Sequence, residues 1–218
     1  MKLNLFFISV VVGYMFWGTL SAMACTGITL KSQNGTAVVA RTIEWGGSNL
    51  NSQYVIVPRG YSEQSFTPDG QNGMVFIARY GYVGLAVEQK EFIAEGINEA
   101  GLSAGLFYFP HYGEYEDYDK KVADSSISDF QLVSWILGKC TTLEEVKEAV
   151  ANVHIINIDS RASTVHWRFA DQTGRQLVLE IIGKETHFYE NNLGVLTNSP
   201  GFEWHLTNLN NYVNLYPG

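Results

Sequence analysis

The sequence predicts an α+β fold dominated by large sheets, and three observations predict it. Six or seven short β-prone runs, broken by Gly, Asn, Asp and Pro turns, fill the stretch from Thr26 to Phe109. Helical periodicity is then concentrated between Ser126 and Val153. Strand-and-turn patterning returns from Thr164 onward. Of the 218 residues, 46% are hydrophobic and 17% charged, a globular balance that argues against disorder.

Residues 1–24 read as a secretory leader. Lys2 gives a thin positive start, Leu5 to Trp17 is almost wholly apolar, and Ala22-Met23-Ala24 is a small-x-small cleavage site. The apolar run is shorter than the ~20 residues a membrane-spanning helix needs, and no later segment is apolar enough to span. Removing the leader leaves 194 residues, about one domain, in an exported compartment, secreted or periplasmic. The formal charge of −8 becomes −9 without Lys2, and no Lys/Arg-rich run interrupts it, so nucleic acid is excluded as a partner.

Cleavage after Ala24 makes Cys25 the first residue, placing a thiol and an α-amino group on one residue. A free thiol titrates near ~8.5 and an α-amine near ~7.7 to 8.0, so near neutral pH the amine can take the thiol's proton. A nucleophile activated by its own chain terminus is an established way to attack an amide. The rival is a lipoprotein, with Cys25 acylated and serving only to anchor an envelope binding protein. Against it, Ala22 stands where such signals favour Leu. The other cysteine, Cys140, allows one disulfide in an oxidising compartment; with Cys25 as nucleophile it reads instead as a buried thiol. No grouping of His and Cys has metal-ligand spacing.

The runs from Thr26 to Lys31 and from Thr36 to Arg41 flank the turn Gln33-Asn34-Gly35 and predict a hairpin that begins at Cys25. In that hairpin Arg41 comes close to facing Cys25, and Glu44 follows three residues later. Arg41 would favour the thiolate, and the Glu44 carboxylate could orient the α-amine. Trp45 heads a glycine-rich loop and is a candidate pocket wall, as is Tyr82 in the aromatic turn Tyr80-Gly81-Tyr82. Further strands are expected at Tyr54–Arg59, Met74–Arg79, Phe92–Ile97 and Leu102–Phe109. The acidic, Tyr-rich stretch from His111 to Asp124 has no apolar period and reads as an exposed loop.

Ser126 or Ser128 caps a helix carrying Phe130, Val133, Trp135, Ile136 and Leu137. Thr142-Leu143-Glu144-Glu145 is a capping box opening a second one. Thr164–Ala170 and Arg175–Ile182 form a hairpin around Asp171–Gly174. His166, inside the first of these strands, reads as a satisfied core residue rather than a base. Thr186–Tyr189 and Val195–Thr197 are short strands, and Phe202 to Val213 has helical character. Asn198, at a strand end, can stabilise an oxyanion with its amide; an Asx turn before Pro200 explains it as well.

These motifs together resemble the choloylglycine hydrolase family, which holds bile salt hydrolases and penicillin V acylases. The residues that carry the resemblance are Cys25-Thr26-Gly27, Ala40 to Trp45, Asn98-Glu99-Ala100-Gly101-Leu102, His166-Trp167, Gly194 to Pro200, Phe202, Trp204-His205 and Asn208-Leu209. The resemblance implies a four-layer αββα N-terminal-nucleophile hydrolase sandwich with two antiparallel sheets, which hydrolyses an amide C–N bond of a small molecule without a cofactor. It also implies a homo-oligomeric full-length protein. By the same resemblance Cys25 is nucleophile and, through its amine, base; Arg41 polarises the thiolate; Asn198 and Tyr108 supply the oxyanion donors. Glu44 stands where the family usually has Asp, one methylene shorter. Tyr108 matches the acylases, where bile salt hydrolases have Asn. Family members continue for about a hundred residues beyond the end of this sequence, in keeping with large single-domain chains, and carry a further active-site Arg there. The expectation is therefore that residues 25–218 alone leave sheet edges unpaired, with poor stability and no activity.

Overall fold

A computed structural model describes residues 25–44, 49–159 and 162–215. The leader and Trp45 fall outside them. The expected hairpin is β1 (Cys25–Lys31) and β2 (Ala37–Ile43). Then come β3 (Gln53–Val57), β4 (Ser62–Gln64), β5 (Val75–Ile77), β6 (Tyr82–Ala86), β7 (Ile93–Asn98) and β8 (Ser103–Tyr108). The short β9 (Ser126–Ser128) precedes α1 (Leu132–Lys139) and α2 (Leu143–Val150), and β10 (His154–Ile156) follows them. Finally come β11 (Val165–Ala170), β12 (Gln176–Ile182), β13 (Glu185–Glu190), β14 (Val195–Thr197) and α3 (Phe202–Leu209). Among the described residues no helix is long and apolar enough to cross a membrane.

A seven-stranded antiparallel sheet runs β13-β12-β11-β8-β7-β6-β3 and faces a three-stranded one, β14-β1-β2. Strand alternation gives the larger sheet two different faces. Trp167, Phe169, Leu177, Leu179 and Ala104 join Leu132, Val133, Ile136 and Leu137 of α1 in the main core. Each fully buried Leu, Ile or Phe there contributes about 1.5–3 kcal/mol. Phe107, Val178, Leu196, Phe202 and Cys25 form a second, smaller core. Farther along the larger sheet, Tyr54 and Ile56 are 92% and 79% exposed, so this apolar edge is uncovered among the described residues.

The capping box holds: the Glu145 N–H donates to Thr142 Oγ1 (3.1 Å), while the Glu145 carboxylate accepts from Thr141 N (2.6 Å). Ser128 accepts from Phe130 N (3.2 Å) at the short turn preceding α1, and Ser126 lies in β9. Met74–Arg79 is shorter than expected and pairs as β5 with β4 in a separate two-stranded sheet. The His111–Asp124 stretch is a mostly exposed loop, as expected, with Tyr115 the exception. Tyr115 is buried, its hydroxyl donating to Val165 O and accepting from Val165 N, both at 2.7 Å. The Tyr ring supplies the apolar body, and two backbone groups satisfy its polar tip.

Two buried carboxyls lie near the start of α1. Glu63 accepts from Gln131 Nε2 (2.6 Å), and burial pushes its pKa up to about 7. Burial also pushes fully enclosed Asp129 up to about 7, against the bond from Phe130 N (2.9 Å). A carboxyl whose pKa is raised on folding stabilises the fold below its ordinary value and loses that contribution as pH rises through the folded value. The melting temperature should therefore fall as pH rises from about 5 to about 8, by several degrees at ~3 °C per kcal/mol for a chain of this size. Glu63→Gln with Asp129→Asn should flatten that slope in a pH-resolved thermal scan; an unchanged slope would refute the assignment.

Candidate active site

β1 is hydrogen-bonded on both sides. Thr26, Gly27 and Ile28 pair with Thr42, Arg41 and Ala40 on one flank, and with Thr197, Leu196 and Val195 on the other. Cys25 pairs with Ile43, and Arg41 faces Gly27 rather than Cys25. The observed turn is the expected one, and a loop centred on Asn34 sets Cys25 opposite Ile43, so the expectation of Arg41 was miscounted by two residues. Ser32 N donates to Thr36 O (2.9 Å), so Gln33, Asn34 and Gly35 form a three-residue loop centred on Asn34. Gly35 takes φ +87°, which its missing Cβ allows. Arg41 is thus a diagonal neighbour of Cys25 on the same face.

Both residues line a cavity of about 510 Å³ whose walls are mostly apolar, with Ile43, Leu106, Tyr108 and Val165 among them. Cys25 is only 6% exposed, and it and Cys140 are both free thiols. Burial pushes the Cys140 pKa up to about 12, which makes it a poor thiolate.

Arg41 enters from the smaller sheet and is anchored on the larger one. Its Nη1 donates to Ala94 O (3.1 Å) and to Leu106 O, and lies 3.6 Å from Glu95 Oε2. Its guanidinium sits 4.2 Å from the centroid of the Phe107 ring. Glu95 also binds Arg168, with Nη2 to Oε1 at 3.1 Å. Neither Glu95 nor Arg168 stood out in the sequence. The available signal was a charge inside the apolar run Val165–Ala170, opposite a glycine.

Asn198 is buried at the end of β14, and its Oδ1 accepts from the Tyr108 N–H (3.1 Å). The two residues expected as oxyanion donors, Tyr108 and Asn198, are thus brought together, with the Tyr108 N–H engaged on the Asn198 amide oxygen. Behind this segment, His166 Nε2 donates to Thr197 O (2.9 Å), and Nδ1 is 2.9 Å from Glu180 Oε1. Glu180 Oε1 also accepts from Phe202 N (2.9 Å), at the first turn of α3. His166 is fully enclosed and satisfied at both nitrogens, as a core histidine should be.

The other expected site residues separate. Glu44 is exposed one residue past β2, and among the described residues no hydrogen bond or ion pair joins it to Cys25. Alternation turns it away from the face that carries Arg41 and Ile43. Tyr82 is not a wall of this cavity. It is 4% exposed in the main core, its ring packed near Gly138 of α1, because the aromatic turn ends where β6 begins. Its pKa is raised, chiefly by burial.

The family model for linear amide C–N hydrolases, choloylglycine hydrolase family, matches residues 25–218. A bile salt hydrolase/transferase of Clostridium perfringens is 32% identical over 199 residues, covering 88% of this chain and 58% of the relative. A penicillin V acylase of Pectobacterium atrosepticum is 24% identical, over 89% of this chain and 54% of the relative. Among solved structures, a mutant conjugated bile acid hydrolase from Clostridium perfringens superposes with a TM-score of 0.76 at 31% identity, covering 89% of this chain and 59% of that one. Penicillin V acylase from Agrobacterium tumefaciens gives 0.73 at 25% identity, over 86% and 56%. The chain thus spans somewhat more than half the length of these relatives, and the fold is the αββα sandwich of N-terminal-nucleophile hydrolases.

The packing around β1 makes a direct prediction. A Cβ added at Gly27 would lie 2.6 Å from Phe107 Cζ and closer still to Arg168 Nη1. Both neighbours are fully buried and have nowhere to move. Gly27→Ala should cost about 1–3 kcal/mol by overpacking, read as a lowered urea midpoint at unchanged m-value. A wild-type midpoint would show that the two sheets are not in this contact.

Proposed function

The chain belongs to the choloylglycine hydrolase family of linear amide C–N hydrolases, and on that footing we propose that it hydrolyses an N-acyl amide of a bulky apolar acid, with Cys25 as nucleophile. The observation that carries the reading is the apolar cavity with the Cys25 thiol and the Arg41 guanidinium in its wall. An apolar acyl group gains from burial there, while the scissile amide meets the polar groups at Cys25 and Arg41. Conjugated bile acids and phenoxyacetyl-penicillin are the leading substrates, and N-acyl homoserine lactones share the same chemistry. Names among the relatives support the first two.

In this reading leader removal exposes the α-amine of Cys25, which takes the thiol proton. The thiolate attacks the carbonyl carbon, and the charge developing on oxygen is met by the Asn198 amide. The Tyr108 N–H grips Asn198 Oδ1 and so fixes where the amide NH₂ points. Collapse of the tetrahedral species breaks the C–N bond, the α-ammonium protonates the departing amine, and an acyl-thioester remains. Water, deprotonated by the same α-amine, then releases the acid and regenerates the thiol. Arg41 favours the thiolate throughout. The protein acts outside the cytoplasm, secreted or periplasmic, as a homo-oligomer.

The test begins with N-terminal sequencing and intact mass of the exported protein; a free Cys25 is expected, and a blocked or lipidated one would overturn the proposal. Assayed on glycine- and taurine-conjugated bile salts beside penicillin V, Asn198→Ala should lower kcat by about 10²–10³ with little change in KM. Cys25→Ala should abolish turnover, and Cys140→Ser should leave it unchanged.

A further inference from the structure

Between the two sheets lies a row of three charges that the chemistry above uses only at one end. Glu95 of β7 pairs with Gly105 of β8, and Gly105 pairs with Arg168 of β11. The three positions form one line across adjacent strands on one face. The middle one has no side chain, and a Cβ there would collide with Glu95 Oε2. Gly105 is therefore the gap across which Glu95 and Arg168 meet. Gly27 of β1 provides a second gap, where Arg168 and Phe107 press against the strand two residues beyond Cys25. Arg168 Nη1 lies 3.5 Å from Ile28 O, and the Phe107 ring has the Arg41 and Arg168 guanidiniums at 4.2 and 5.4 Å from its centroid.

We propose that Glu95 and Arg168 are positioning residues, which hold Arg41 in the wall of the Cys25 cavity and set the net charge beside the thiol. The inference rests on Cys25 being the nucleophile. Arg168 binds one carboxylate oxygen of Glu95, leaving the other to Arg41. In this proposal Glu95 is the carboxylate, because a guanidinium faces each of its two oxygens. Burial raises its pKa overall, against the opposing pull of Arg168 and then Arg41. The row therefore carries one surplus positive charge. Among the described residues, the other titratable groups on elements packed around Cys25 are Glu44 beyond β2, Glu88 after β6, Tyr108 of β8, Tyr189 of β13, His205 of α3 and the His166–Glu180 pair behind β14, together with the α-amine. None of them changes in the variants below.

Charge arithmetic gives the two single variants opposite signs. Arg168→Met takes the row from one surplus positive charge to none, so the Cys25 thiol should become less acidic. Glu95→Gln raises the surplus to two, so the thiol should become more acidic, each by about one pH unit. The readout is the thiolate ultraviolet absorbance of the exported, processed protein against pH, beside its rate of alkylation by iodoacetamide. Cys140, with its pKa pushed up to about 12, is silent over that range. Both single variants should also lose at least about tenfold in kcat with KM little changed, because Arg41 loses the Glu95 carboxylate, or the Arg168 that holds it, and keeps only its two carbonyl partners. The double variant Glu95→Gln/Arg168→Met restores the surplus of one and should bring the titration midpoint back to the wild-type value, a comparison that stands even where one single variant fails to fold. Shifts of like sign, no shift, or a double variant that stays displaced would each overturn the proposal. The amidase reading fails separately, if Cys25→Ala retains turnover.

Discussion

The site depends on β1 being hydrogen-bonded along both edges. Terminal residues ordinarily fray, because few contacts repay the entropy of ordering them. Here the residues from Cys25 onward run between β2 and β14, so the proposed mature terminus begins a central strand. The thiol is thereby held in place, and each flanking strand delivers a further group: Arg41 from β2 and Asn198 from the end of β14. The larger sheet adds the Tyr108 N–H and the carbonyls of Ala94 and Leu106, which hold those two side chains. Rigidity at Cys25 comes from ladder pairing, and rigidity around it from contacts that cross between sheets. The His166–Glu180 pair extends the same logic outward, tying β11, β12 and α3 to the Thr197 carbonyl.

How much of this could be read from the sequence divides along local and non-local lines. The hairpin at residues 25–43, the capping box at Thr142 and the turn before β12 are encoded within a few neighbouring residues, and the chain shows them directly. Even there the facing partner of Cys25 was misjudged by two, although a turn centred on Asn34 sets it opposite Ile43. His166 was legible as a core residue because one His in an apolar strand seldom escapes burial. Tyr82 and Tyr115 were misjudged for a shared reason: an aromatic carries a polar tip, and only the tertiary fold says whether that tip finds a partner. Glu95 and Arg168 were invisible as a pair, because their contact needs the strand order β7-β8-β11 and a glycine between them. Cys25 drew attention from the expected cleavage site alone, and the fold adds that it lies in a cavity wall with Arg41.

The buried row of charges is hard to explain as a contribution to stability. An Arg–Glu–Arg group between sheets must recover several kcal/mol of lost hydration per ion, and apolar replacements of like volume are often neutral or stabilising. The backbone adds a further cost, since Gly105 and Gly27 leave two strand positions without side chains to pack. An apolar filling could also use the Phe107 ring, which is already buried there. A charged group that is costly to enclose, served by two glycines and aligned on the guanidinium beside a thiol, fits the proposed chemistry better than it fits a role in folding. The Ala94 and Leu106 carbonyls already hold the Arg41 guanidinium. A carboxylate behind it adds an ionic contact yet cancels its charge, and the second guanidinium restores what the carboxylate removes. Three charges thus strengthen the hold on Arg41 and still leave the neighbourhood of Cys25 positive.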